Sequence, residues 1–291
     1  MLTIQNEFLT VAVSPKGAEL QSILGRDGTE YLWQGDSRYW PDRALNIFPY
    51  VARLTGGCYE LDGRRCHMNI HGIAPYREFR VADHRDALLV LELTSDGETR
   101  REYPREFAFR IGYALSGGAL TVTYEVENQD ERTMYFGLGG HPGFNVPISG
   151  GVFEDYRLRF SQRCQPKRIG FTDDCFLNGQ EAPFPLEEDT VLPLRHDLFD
   201  QDAIVLRDMA RQVTLERAGG SHSVTVSFPQ MPYLGIWHMP RTDAPYVCIE
   251  PWCSLPSTKD TIAVFEEQAD LLRLEPRKIY RNQWSISTSL I

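Results

Sequence analysis

Short runs of alternating apolar and polar residues, each closed by a glycine-bearing turn, constrain this chain more than any other feature. Leu2 to Val13 alternates, Ser14-Pro15-Lys16-Gly17 breaks the run, and Glu19 to Leu24 resumes it. Gly25-Arg26-Asp27-Gly28 then turns again before Tyr31-Leu32-Trp33. The grammar returns in Ala87 to Leu93, and in Phe107 to Leu115 and Ala119 to Glu127 across Ser116-Gly117-Gly118. It recurs in Gln212 to Glu216 and Ser221 to Phe228 across Arg217-Ala218-Gly219-Gly220. A period of two sends successive side chains to opposite faces of a strand, giving each run one face for a core and one for water. Asp-Gly at 62–63 and 96–97 and Gly-Gly at 56–57 and 150–151 mark further turns. Helical signals are confined to a few candidate turns in Ser257 to Arg273, with Thr258 or Asp260 as a cap. The expected fold is all-β, a large antiparallel β-sandwich or barrel with few short helices. No low-complexity linker or fixed-period repeat divides the 291 residues, so a single domain over 1–291 is expected.

The formal net charge of -10 argues against a nucleic-acid or anionic-membrane partner, since both need a basic face. It suits a protein that handles a neutral or cationic small molecule. The residues after Met1 show no basic region leading into an apolar run, so no signal peptide is expected. No stretch approaches the length of a membrane span. The six cysteines, Cys58, Cys66, Cys164, Cys175, Cys248 and Cys253, have no close-paired framework and read as free thiols in a reducing compartment. The expected location is cytoplasmic.

Five places carry candidate chemistry. In Gly139-Gly140-His141-Pro142-Gly143-Phe144-Asn145, the run Met134 to Leu138 delivers a histidine into a turn. There Pro142 fixes the backbone and the glycines leave room for a ligand. An imidazole so held suits proton transfer near neutral pH. Arg53, among apolar residues and shortly before Gly56-Gly57, needs acceptors, from either an ion pair or a ligand. His71-Gly72 repeats the pattern of a histidine beside a glycine. Asp202 stands before the apolar run Ala203 to Leu206, where a carboxylate accepts hydrogen bonds from a polyol or simply makes a turn. Glu250 closes the run Val247-Cys248-Ile249 and precedes Pro251-Trp252. Burial there raises a carboxyl pKa toward the range of a general base. Trp252 either walls a cleft or packs in the core. Cys66, His67 and His71 are possible metal ligands, but the two histidines share a face only on a helix, and the context reads as strand and loop. No metal or organic cofactor is expected. A Gly-x-Ser-x-Gly elbow, a phosphate loop and a dinucleotide fingerprint are all missing. Polar groups converging on a cleft of an all-β domain point to a carbohydrate site.

In order along the chain, Asn46-x-x-Pro49-x-x-x-Arg53, His71-Gly72, Gly140-His141-Pro142-Gly143-Phe144-Asn145, Asp202 and Ile249-Glu250-Pro251-Trp252 resemble the aldose 1-epimerase (galactose mutarotase-like) family. The LacX-like branch is the nearest match. The resemblance implies a large antiparallel β-sandwich with a sugar cleft on one curved sheet and a small-molecule carbohydrate substrate. It implies His141 as general acid, Glu250 as general base, and Arg53, His71 and Asp202 as substrate-binding residues, with Asp200 able to align in place of Asp202. Glu250 would take the anomeric hydroxyl proton while His141 protonates the ring oxygen. The ring opens, the C1–C2 bond rotates, and closure gives the other anomer. The acid and base are expected to face each other across a sugar-sized gap. The galactose mutarotases carry an Asn-His-x-Tyr-Phe-Asn type of motif where this chain has Gly-His-Pro-Gly-Phe-Asn, so galactose preference does not carry over. Two other readings remain open: a phosphosugar epimerase, with Arg100, Arg101 and Arg105 as a basic run for the phosphate, and a sugar-binding protein without catalysis.

Overall fold

The computed structural model describes residues 1–290, and two antiparallel sheets form most of it. A nine-stranded sheet runs Val191–Pro193, Tyr156–Phe160, Gln212–Arg217, His222–Ser227, Ile279–Leu290, Ala119–Asn128, Phe107–Ser116, Leu88–Thr94 and Arg80–Arg85. A seven-stranded sheet runs Leu177–Pro183, Lys167–Phe171, Ile204–Arg207, Tyr233–Trp237, Tyr246–Trp252, Gly139–Asn145 and Ala44–Ile47.

The nine-stranded sheet shows why alternation was legible. In Ala119–Asn128, Leu120, Val122, Tyr124 and Val126 are buried while Thr121, Thr123 and Glu125 stay on the other face. On that outer face Arg110 bridges Glu92, Glu125 and Glu127. The inner face meets the seven-stranded sheet in one buried cluster. Phe48 stacks on Phe109 with ring centroids 4.5 Å apart, and the Tyr124 hydroxyl donates to Asn46 Oδ1 at 2.8 Å. Leu234, Ile236, Val247 and Ile249 join the same cluster from the seven-stranded sheet.

The central strands of that second sheet do not alternate. Tyr246–Trp252 is buried throughout, and Gly139–Asn145 at all but its last position. Both faces are covered, and two-sided burial erases a period of two. One face meets the nine-stranded sheet. The other carries two small apolar clusters, one holding Trp33, Trp40, Tyr246 and Cys248 and the other Ile47, Val205, Trp252 and Leu255. The site lies between them.

Ser257 to Arg273 is not helical. Ala263–Val264 pairs in parallel with Cys58–Leu61, and Leu272–Leu274 pairs with Met134–Phe136. Tertiary contacts override the weak local signal here: Phe265 stacks on Tyr59 at 4.0 Å between centroids and on Tyr50 at 5.3 Å. The α-helix among the described residues is the single turn Thr99–Glu102, and no helix is long and apolar enough to cross a membrane. The six cysteines are free thiols.

Candidate active site

His141 and Glu250 are brought together by strand register. The ladder between their strands pairs Gly139 with Trp252 and Gly143 with Cys248. Between those pairs the ladder is open, and continuing the register sets His141 opposite Glu250. Pro142 and Pro251 lie in the opening and bring no N–H to it. Cross-strand neighbours on one face are close by construction. His141 Nε2 lies 3.2 Å from Glu250 Oε2, with both side chains almost wholly buried. The approach is off the line of a full hydrogen bond, and Oε2 is left without a donor.

These positions differ in four ways from the sequence reading. The histidine motif is a strand, not a turn beyond one, and Glu250 sits inside its strand rather than ending it. The pair is in direct proximity on one floor rather than facing across a gap. The glycines before His141 make room for protein, not ligand. A Cβ on Gly140 would lie 2.5 Å from the Trp284 ring, and one on Gly139 would lie 2.7 Å from Trp252. Alternation then sends Gly140 toward the inter-sheet core and His141 out to the cleft. Gly235, opposite Glu250 in the next strand, gives equivalent room to the Trp252 ring.

Over this floor opens a cleft of about 260 Å³ that Arg53, His71, His141, Asp202 and Glu250 all line. That volume suits a single sugar ring. His71 holds a left-handed backbone with φ 63°, which few side chains adopt. Its N–H donates to the Ala52 carbonyl, and its Nδ1 accepts from the Ala52 N–H at 3.3 Å. The remaining proton of the neutral ring is therefore on Nε2, the nitrogen left to donate to a ligand. Asp202 also has positive φ, 70°; its Oδ1 accepts from the Ala203 N–H and its Oδ2 from the Cys175 thiol, both at 2.8 Å. Asp200 lies outside this cleft, along a neighbouring groove. Arg53 is exposed, not buried among acceptors, and has no ion pair among the described residues. Its guanidinium, reaching the cleft rim, is the free cation there.

Burial sets the protonation. It pushes the Glu250 carboxyl well above its usual range, and Asp202 nearby adds to the effect. It pulls the His141 imidazole well below its usual value, with His71 adding to that. His71 falls to about 4 through burial and then the Arg53 charge. The Cys175 thiol is pushed up to about 12, chiefly by burial and its bond to Asp202, so it stays a neutral donor. Both members of the pair are thus driven toward their neutral forms, a state that holds one proton between them.

Sequence reasoning missed the walls. Trp40 lies against the His141 imidazole with centroids 4.7 Å apart, and Trp237 meets it edge-on at 5.8 Å. Neither tryptophan has a local signal, because distant segments carry them in; Cys175 is likewise invisible without Asp202 beside it. Trp252 does line the cleft. The candidate metal trio Cys66, His67 and His71 is dispersed: exposed His67 sits 3.2 Å from Cys58, whereas His71 belongs to the cleft. The residues that could hold a cation are instead His141, Cys248 and Glu250, whose ligand atoms lie within 4.8 Å of one another. Nor do the three arginines form a phosphate pocket. Arg105 is buried and pairs with Asp62 at 2.7 Å, Arg100 pairs with Glu106, and none lines the cleft. Only Arg100 and Arg101 belong to an exposed face.

Comparison with known proteins bears on this arrangement. The profile of the aldose 1-epimerase family matches residues 1–287. Over 297 aligned residues the chain is 30% identical to the chromosomal protein LacX of Lactococcus lactis subsp. lactis, with 98% of each covered. The crystal structure of a galactose mutarotase related enzyme from Lactobacillus acidophilus superposes with a TM-score of 0.93 at 31% identity, covering 99% of both chains. A galactose mutarotase-like protein from Lactobacillus casei ATCC 334 superposes with a TM-score of 0.92 at 30% identity and the same coverage. The all-β sandwich is thus of the galactose mutarotase-like class, with a histidine–glutamate pair on its cleft floor. The chain belongs to the aldose 1-epimerase family.

Proposed function

We propose that this protein is a cofactor-independent aldose 1-epimerase that interconverts the α and β anomers of a free aldose. The observation that carries the reading is the His141–Glu250 pair, 3.2 Å apart on the floor of a sugar-sized cleft. The two oxygens that exchange protons in mutarotation, the anomeric hydroxyl and the ring oxygen, share one carbon. An acid and a base side by side match that demand.

In this reading Glu250 takes the proton of the anomeric hydroxyl as His141 Nε2–H gives one to the ring oxygen. The C1–O5 bond breaks, leaving a C1 carbonyl and a C5 hydroxyl. Rotation about C1–C2 presents the other carbonyl face, and reversing both transfers closes the ring. The pair ends with the one proton it began with. Arg53, Asp202 and His71 Nε2–H bind the remaining hydroxyls, and the anomeric hydroxyl and ring oxygen of the sugar, set against the pair, favour its ionised arrangement over the neutral one. Each proton transfer contributes about 100- to 10,000-fold.

Glu250→Gln removes the base while keeping shape and hydrogen bonding. Anomer exchange followed by NMR saturation transfer should fall to the buffer rate, with sugar binding kept within a few-fold. Undiminished exchange would remove Glu250 as the base. Exchange absent from the unaltered protein across the common aldoses, with binding intact, would make it a sugar-binding protein.

A further inference from the structure

The cleft continues past Asp202. Phe171, Gln201 and Asp202 line it and also line an adjoining groove of about 630 Å³, more than twice the volume. We propose that the preferred substrate is a disaccharide with a free reducing end, its anomeric ring on His141 and Glu250 and its second ring in this groove. The proposal rests on the epimerase reading for the role of the first ring, and on the groove alone for the second.

The groove has a built wall. One side is the edge hairpin Lys167–Phe171 and Leu177–Pro183, whose second strand is almost wholly exposed and adds little to the core. A bulge between Ile169 and Phe171 breaks its register. Such bulges re-aim side chains, and Phe171 lines both chambers as a result, an aromatic surface at the junction where two linked rings would meet.

The groove is also lined by groups suited to a polyol. The Gln180 and Gln201 side-chain amides have no protein partner among the described residues, and neither does the guanidinium of Arg168 or of Arg241. Arg207, by contrast, on the neighbouring strand, is paired with Glu181. Arg168 is half-buried without a carboxylate, and burial lowers its pKa. A neutral acceptor such as a sugar hydroxyl or glycosidic oxygen would satisfy it. Asp173, Asp200 and Asp202 line the same groove. They offset the two arginines, so the charge is not that of an anion trap, and a neutral second ring fits better than a phosphate.

Titration calorimetry on the unaltered protein compares glucose and galactose with disaccharides ending in each, among them maltose, cellobiose, lactose and 4-galactobiose. At least one disaccharide should bind tenfold or more tightly than its own reducing-end monosaccharide. Saturation-transfer difference NMR should then show contacts on the non-reducing ring. Ala182→Trp, which fills the groove, and Arg168→Ala should each erase that gain while monosaccharide binding and exchange stay as they were. Equal affinity for disaccharide and monosaccharide, a gain untouched by both substitutions, or glucose 6-phosphate outranking every disaccharide would overturn the proposal. Disaccharide binding that responds to the groove variants, with no anomer exchange on any sugar, would sustain the groove and overturn the epimerase reading instead.

Discussion

At the residue scale, confinement sets the protonation of the candidate site. Burial opposes charge on both His141 and Glu250, and in the proposed mechanism the polar ligand draws out the ionised form. Arg53 plays the opposite part: it is an exposed cation at the rim with no ion pair among the described residues. Arg53→Met should therefore raise KM about 10- to 100-fold, the worth of one charged hydrogen bond, with a smaller change in kcat. Saturation kinetics on the best aldose would read the split. The melting temperature should stay put, since an exposed, unpaired side chain carries little stability. A melting temperature that fell with KM unchanged would return Arg53 to a structural role.

At the element scale, the two site strands depend on missing atoms. Gly140 lets the Trp284 indole of the opposing sheet press against the backbone that carries His141. Gly140→Ala places a Cβ 2.5 Å from that ring, and such overpacking costs about 1–3 kcal/mol. Urea denaturation should show the loss, with a larger proportional drop in kcat as His141 is pushed from Glu250. Adding Trp284→Phe should recover part of both. A fully stable, fully active Gly140→Ala protein would mean that the two sheets are not packed this tightly beneath the site.

At the scale of the whole molecule, stability and function are separable. Arg105 joins distant segments and does not line the cleft, donating to Asp62 and to the Thr133 and Pro104 carbonyls. Arg105→Ala leaves exposed Asp62 with Arg132 but strips the donor from the Thr133 carbonyl, and should destabilise by about 1–3 kcal/mol in urea titration, with KM for sugar unchanged. Acid should also unsettle the fold. His71 and His238 are pulled down to about 4 by burial, while an unfolded histidine titrates near 6.5. Below 6.5 the unfolded chain binds protons that the folded one refuses, so their contribution is whole above that pH and drains away toward 4. Glu250 acts with the opposite sign, because the folded state holds its proton more tightly. The melting temperature should fall from pH 6.5 to 4. The fall should be shallower in His71→Asn, a residue that tolerates the left-handed backbone. An equal slope in that variant would show that His71 is not buried neutral.

The sequence by itself determined the all-β class and much of the nine-stranded sheet. A face open to water preserves alternation, and Ala119–Asn128 or Gln212–Arg217 can be read residue by residue. It also singled out His141, Glu250, Arg53, His71 and Asp202, because glycines, prolines and a carboxylate inside apolar runs are locally anomalous. Tertiary structure alone decided that the histidine motif is a strand, that Gly140 serves Trp284, and that Arg105 is interior while Arg53 is free. It also supplied Trp40, Trp237 and Cys175. The physical reason is the same in each case: a strand covered on both faces loses its period, and the partner that gives a side chain its meaning lies on a distant segment that only folding brings near.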